Sequence, residues 1–285
     1  MLDAIAQALI EHNYLFMASA LVAGLVVGSF LNVVIYRLPP ILQYGWRKDC
    51  AELNEQPFKQ KAPPGIAFER SHCPHCQKQL PAWQNIPVFS YLFLRGRCYY
   101  CRKPIAFRYP LVESLTGILT GFLAYHFGLG WPFLAASVLV FFLIVIAFID
   151  LDTFLIPDQL SLSLLWLGLF FSLFEVFVTP EQAIIGALAG YLCLWLLFHV
   201  FKLLTGKEGM GYGDFKLLAA GGAWLGAEML IMVLILASVS GLVFAIMQKI
   251  LKKEEVRIPF GPYLSLGIFL CLIYGNTLLN WYLPV

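Results

Sequence analysis

Residues 131–152 read WPFLAASVLVFFLIVIAFIDLD. No charged residue occurs over 131–149, and two aspartates, Asp150 and Asp152, then close the run. About 20 apolar residues are enough for a helix to cross the hydrocarbon of a bilayer. Ionisable groups at the edge of that hydrocarbon are costly to place, so they are functional candidates by default. This one stretch therefore sets the fold class, a membrane helix, and supplies the first candidates for chemistry.

The rest of the chain is built the same way. Of its 285 residues, 60% are hydrophobic and only 13% are charged, about half the charged share of an ordinary soluble domain. The apolar residues fall in long runs and do not alternate as barrel strands would, so helices are the remaining way to satisfy backbone groups in lipid. Further runs cover residues 14–36, 111–128, 160–178, 183–203 and 263–282. No basic residue precedes the first run, and Asp3 and Glu11 make its flank acidic, so it does not read as a cleaved signal peptide.

Net charge is only +2, but the charges are unevenly placed. Most of the Lys and Arg lie between Arg37 and Arg108, among them Arg47, Lys48, Arg95, Arg97, Arg102 and Lys103. Basic loops stay in the cytoplasm, which directs the N-terminus outward. The same rule places Lys202 and Lys207 inside and leaves Glu175 and Glu181 outside. Residues 215–247 are too long for one span. A break near Ala227 and Glu228 makes two helices and keeps Lys249, Lys252, Lys253 and Arg257 inside. The expectation is an all-α polytopic membrane protein of about eight transmembrane helices, with a zinc-binding cytoplasmic insertion after the first. Its parts are an N-terminal helix (1–36), the insertion (37–109) and a membrane-embedded domain (110–285).

A third aspartate, Asp214, follows Gly211-Tyr212-Gly213 between the fifth and sixth spans. In this topology it lies at the same inner boundary as Asp150 and Asp152, so the sites can meet at one depth. Two close carboxylates share one proton; the ionised one can activate water while the other protonates a peptide carbonyl. Glycines at 209, 211 and 213 let a substrate strand approach the backbone. A solvated charge or a helix cap is the simpler role for an aspartate at a helix end, and Asp158, after Pro157, reads as a cap. Spacing alone does not choose between Asp150 and Asp152.

Four of the seven cysteines form Cys73-Pro-His-Cys76 and Cys98-Tyr-Tyr-Cys101. Two CxxC pairs in a reducing compartment suit one tetrahedral structural zinc. Redox-active dithiols are the alternative, and His72 or His75 are available as substitute ligands. Four thiolates leave no open position, so the ion serves folding and not catalysis. Cys50, Cys193 and Cys271 read as unpaired residues.

Two strings resemble the type IV prepilin peptidases. One is Ile149-Asp150-Leu151-Asp152 with Leu155-Ile156-Pro157-Asp158. The other runs from Thr205 through Gly211-Tyr212-Gly213-Asp214 to Lys216. Gly24 through Asn32 to Pro39, Arg108 to Glu113 and Ile258 to Tyr263 extend the resemblance over nearly the whole chain. It implies that Asp150 and Asp214 are the catalytic aspartates of a leader peptidase, and that the four cysteines bind one Zn2+. It further implies methylation of the new N-terminus by S-adenosylmethionine, with Asn32, Arg37 and Glu113 as candidate residues. It also implies prepilins or pseudopilins of type IV pili or type II secretion as partners, and a bacterial inner-membrane location with a periplasmic N-terminus. Membrane lipid is the other partner, and nothing in the sequence points to nucleic acid. By their residues alone, Gly24 and Gly28 read as a helix-packing pair, and the donor site is not legible because no dinucleotide-type glycine motif follows a strand. Two rivals share these residues: a peptidase without methyltransfer, and a transporter relaying protons through membrane carboxylates. A zinc-knuckle interaction protein is a third.

Overall fold

The computed structural model describes residues 13–67, 69–73, 75–207, 209–251 and 258–282. Asp3, Glu11, Lys252, Lys253 and Arg257, used in the charge reading, and Glu208, within the Thr205–Lys216 string, lie outside the described residues. The regular secondary structure among the described residues is helical, with two isolated β-bridges and a largely irregular stretch between Leu53 and Arg108. The helices are α1 (Asn13–Leu53), α2 (Phe89–Phe93), α3 (Arg108–Phe127), α4 (Trp131–Thr153), α5 (Asp158–Ser172), α6 (Pro180–Thr205), α7 (Tyr212–Leu225), α8 (Leu230–Ile250) and α9 (Gly261–Tyr282). Among the described residues, four segments are long and apolar enough to cross a membrane: α1, α4, α6 and Ala227–Ile250. The chain is a multi-pass membrane protein.

Two compact units divide the chain, Met1–Phe133 and Leu134–Val285. In the first, α1 and α3 pack antiparallel. Gly24 faces Gly117 and Thr120, and Gly28 faces the backbone of Glu113, so closely that a Cβ on either would come within 3 Å of the neighbour. Small residues at this spacing serve the packing role expected of them. Residues 14–36 form only the start of α1, which continues through Pro39 and Pro40 to Leu53.

The second unit is organised around α7. Residues 217–224 are all buried, as expected of a helix that is apolar on every side. Gly186 of α6 meets Gly222 of α7 backbone to backbone; a Cβ on Gly186 would lie 2.2 Å from the Gly222 carbonyl oxygen. Trp224 Nε1 donates to the Leu164 carbonyl of α5 (2.8 Å) and tethers that side. By contrast, Ile184, Leu188, Leu192 and Leu196 on α6 and Val239, Leu242 and Ile246 on α8 are exposed, an outward apolar surface suited to lipid.

Local chemistry sets the helix ends. Thr179, Pro180 and Gln182 form a capping box with proline at the first helical position, which starts α6. Between α7 and α8 the helix breaks at Gly226, whose φ of +79° and ψ of 169° suit glycine almost alone. A single 3₁₀ turn, Ala227–Met229, follows. The break falls where the charge pattern required one. At 14 residues, α7 reaches about 21 Å, short of the ~30 Å hydrocarbon layer. The fourth apolar run is also shorter than its sequence: α5 ends at Ser172, and Glu175 turns the chain with a φ of +49°.

Candidate functional site

Asp150 lies in the last turn of α4 and is 5% exposed, whereas Asp152 is exposed. The structure thus separates two residues that spacing could not. Asp214, in the first turn of α7, is 7% exposed. It is the third helical residue after the N-cap Gly211, at the helix end where a negative side chain is favourable.

The two aspartates converge on a shared patch. Asp150 Oδ2 accepts the backbone N–H of Gly261 at 2.9 Å, a bond that spans 111 residues of sequence. A Cβ on Gly261 would lie 2.6 Å from that oxygen and 3.0 Å from Ile156 Cδ1; one on Gly213 would lie 2.7 Å from Ile156 Cβ. Ile156 is therefore held between the glycine beside Asp214 and the glycine bound to Asp150. Both carboxylates are buried on this patch.

Asp158 does not cap α5. Pro157 occupies the N-cap, and the Asp158 carboxylate pairs instead with Lys216 Nζ of α7 at 2.6 Å. That ion pair joins the start of α5 to the turn carrying Asp214.

In the first unit, Cys73, Cys76, Cys98 and Cys101 place their four sulfurs within 4.8 Å of one another. Cys73 Sγ and Cys101 Sγ are 3.8 Å apart, far beyond a disulfide. A tetrahedral ion with bonds of ~2.3 Å separates its sulfurs by about 3.8 Å, so the donor set fits a metal such as zinc. Neither His72 nor His75 joins the cluster. The two knuckles repeat one backbone pattern: Cys73 N–H bonds the Lys78 carbonyl and Cys98 N–H that of Lys103. The residue after each CxxC, Gln77 or Arg102, takes a φ of +56° or +58°. Burial pushes the Cys73 thiol up to about 11. It acts on Cys98 too, but the N–H groups of Cys101 and Tyr100, with the neighbouring thiols, outweigh it and bring that thiol down to about 7.

The residues named from the first span lie near one another. Arg37 is buried and donates to the carbonyls of Gly65, Glu69 and Arg70, pinning the segment after α1. Asn32 Nδ2 donates to the Tyr109 carbonyl at 3.0 Å. Glu113 accepts from the Val88 N–H at 2.7 Å. Val88 has φ +60° and ψ −48°, and Phe89 N–H bonds the Pro87 carbonyl, a strained γ-turn that the Glu113 carboxylate anchors.

Comparison with known proteins agrees with these two units. Residues 22–127 match the bacterial peptidase A24 N-terminal domain, and residues 137–246 match the type IV leader peptidase family. A protein of Stutzerimonas stutzeri named prepilin leader peptidase/N-methyltransferase is 47% identical over 274 residues, 94% of each chain. Proteins of that name from Aeromonas hydrophila and Pseudomonas aeruginosa are 47% and 42% identical, over 95% and 96% of this chain and 94% and 96% of their own. The chain belongs to the type IV leader peptidase family. No solved structure matches it.

In this leader peptidase family member, sequence reasoning missed Gly261, Ile156 and Gln84. The first two lie in strings that carried the resemblance, Ile258–Tyr263 and Leu155–Asp158, yet neither string shows that its residue abuts a distant aspartate. Gln84 gave no signal: an amide in a polar loop is ordinary until its burial, to 7% exposure, is known.

Proposed function

We propose that the chain cleaves the leader peptide from prepilin precursors with Asp150 and Asp214 as its catalytic dyad, and then methylates the exposed α-amine. The convergence of two buried carboxylates on the Ile156–Gly261 patch carries this reading. The name shared by relatives that cover nearly the whole chain supports it. One aspartate, ionised, takes a proton from water, whose oxygen attacks the scissile carbonyl. The other donates its proton to the carbonyl oxygen; the first then passes the proton it took from water to the leaving nitrogen as the C–N bond breaks, and the adduct's hydroxyl proton returns to the second aspartate. Gly261 fixes the Asp150 carboxylate, and the glycines at 211 and 213 leave space for an extended substrate.

S-adenosylmethionine supplies a methyl group to the neutral amine, releasing S-adenosylhomocysteine and a proton. One structural Zn2+ on Cys73, Cys76, Cys98 and Cys101 folds the segment between α1 and α3. The parts are then a first unit, Met1–Phe133, that carries α1, the zinc-binding segment and α3, and a peptidase unit, Leu134–Val285. With α3, α5, α7 and α9 added to the four long apolar segments, the chain carries eight membrane-embedded helices. The placement of Lys and Arg favours a bacterial inner-membrane orientation with the N-terminus periplasmic, and with the zinc segment and the aspartates on the cytoplasmic side. The substrates are pilins or type II secretion pseudopilins, with a basic leader beside the inner leaflet and an apolar helix in the lipid.

The test is incubation of the purified protein with a prepilin, with and without S-adenosylmethionine, followed by mass spectrometry of the product. Leader loss in both, and one added methyl group only with the donor, is the expected result. Ion-coupled transport with no cleavage would favour the transporter reading instead.

A further inference from the structure

The unit Met1–Phe133 contains a cavity of about 170 Å³ between α1, α3 and the loops around the cysteine cluster. Its walls are mainly apolar and aromatic, with Tyr36, Tyr91, Tyr99 and Tyr109 among them. Of the three amides that line it, Asn85 is exposed and two are more than nine-tenths buried: Asn32 at 4% exposure and Gln84 at 7%. Asn32 Oδ1 has no hydrogen-bond partner, and neither Gln84 Oε1 nor Gln84 Nε2 has one. A buried polar atom left unpaired costs about 1–3 kcal/mol. Three of them on one cavity are explained by a ligand that pairs with them.

The wall chemistry defines that ligand. A side-chain amide offers a donor and an acceptor in one plane, and glutamine or asparagine meets the amino and ring-nitrogen edge of adenine in this way. Tyrosine faces accept a heterocycle by stacking and attract a cation. The Glu113 carboxylate adds a negative charge to the wall, held in place by the Val88 N–H, while the Arg37 guanidinium on the same wall is engaged by the Gly65, Glu69 and Arg70 carbonyls. An aromatic base, a carboxylate partner for positive charge and a cage of tyrosines together suit an adenosyl sulfonium.

We infer that S-adenosylmethionine binds in this cavity, with Gln84 and Asn32 pairing with the adenine and Glu113 facing the sulfonium. This assignment rests on the methyltransfer reading above. Cys73 and Cys98 belong to the same wall, so the metal that orders the two knuckles also shapes the donor pocket.

The experiment uses the full-length, zinc-loaded protein in detergent and measures binding of S-adenosylhomocysteine by titration calorimetry. Gln84→Leu and Asn32→Leu are each expected to weaken binding at least about tenfold. Metal content measured alongside reports whether each variant is folded. Irradiation of the wild-type protein with radiolabelled S-adenosylmethionine, then peptide mapping, locates the donor without any variant; label is expected within residues 29–113. Unchanged affinity in both folded variants, or label confined to residues 134–285, overturns the assignment. Wild-type methylation of a prepilin, measured in parallel, distinguishes failure of the site from failure of the methyltransfer reading.

Discussion

Gly261→Ala is the sharpest perturbation of the peptidase site. The added methyl group would sit 2.6 Å from Asp150 Oδ2, 3.2 Å from Asp150 Cγ and 3.0 Å from Ile156 Cδ1. Ordinary contact needs 3.4 Å or more, so the carboxylate must move by close to an ångström. Ile156, buried against Gly213, blocks an easy retreat of the backbone. The displaced carboxylate loses a charge-assisted hydrogen bond worth about 1.5–3 kcal/mol, and a misplacement of this size costs about 100-fold in rate. Cleavage of a prepilin by the purified variant, followed as initial rate against substrate concentration, is expected to show kcat reduced about 100-fold with KM little changed. Gly65→Ala is the control, because nothing lies within 4 Å of the methyl group it adds. A folded Gly261→Ala protein with kcat within threefold of wild type would refute the claim that this glycine positions Asp150.

Asp152→Asn, at an exposed position, should retain most cleavage activity in the same assay, within about threefold of wild type. Cys73→Ser should lower metal content well below one ion per chain and reduce metal affinity by more than the ~100-fold typical of a supporting residue; metal analysis after gel filtration checks this. Gly186→Ala drives a methyl group to 2.2 Å from the Gly222 carbonyl oxygen, so thermal unfolding in detergent should show a loss of at least about 1–3 kcal/mol.

Much of this architecture is legible in the sequence because lipid makes its demands simple. Apolar runs give the helices, and the need to keep Lys249 inside locates the break that Gly226 makes. Gly211-Tyr212-Gly213-Asp214 announces a turn with an acid at a helix start, and the two CxxC pairs announce their own geometry. The extension of α1 to Leu53 is not legible. Polar composition says that residues 41–53 leave the lipid, not that they stop being helical, and Pro39-Pro40 argues for a break that the packed helix overrides. The choice of Asp150 over Asp152 depends on which face of α4 is buried, and an apolar run does not record that. Asp158 reads as a cap because the sequence does not show that Lys216 lies beside it. The pairing of Asp150 with Gly261 joins residues 111 apart, and no local pattern encodes such a contact.

The most direct measurement is prepilin cleavage by Asp150→Asn and Asp214→Asn, each purified in folded form with its metal bound. Each substitution keeps shape and removes one acid from the pair. The rate is expected to fall more than about 1,000-fold in both, since neither carboxyl group alone can serve as base and acid together. Substantial cleavage by either single variant would contradict the account.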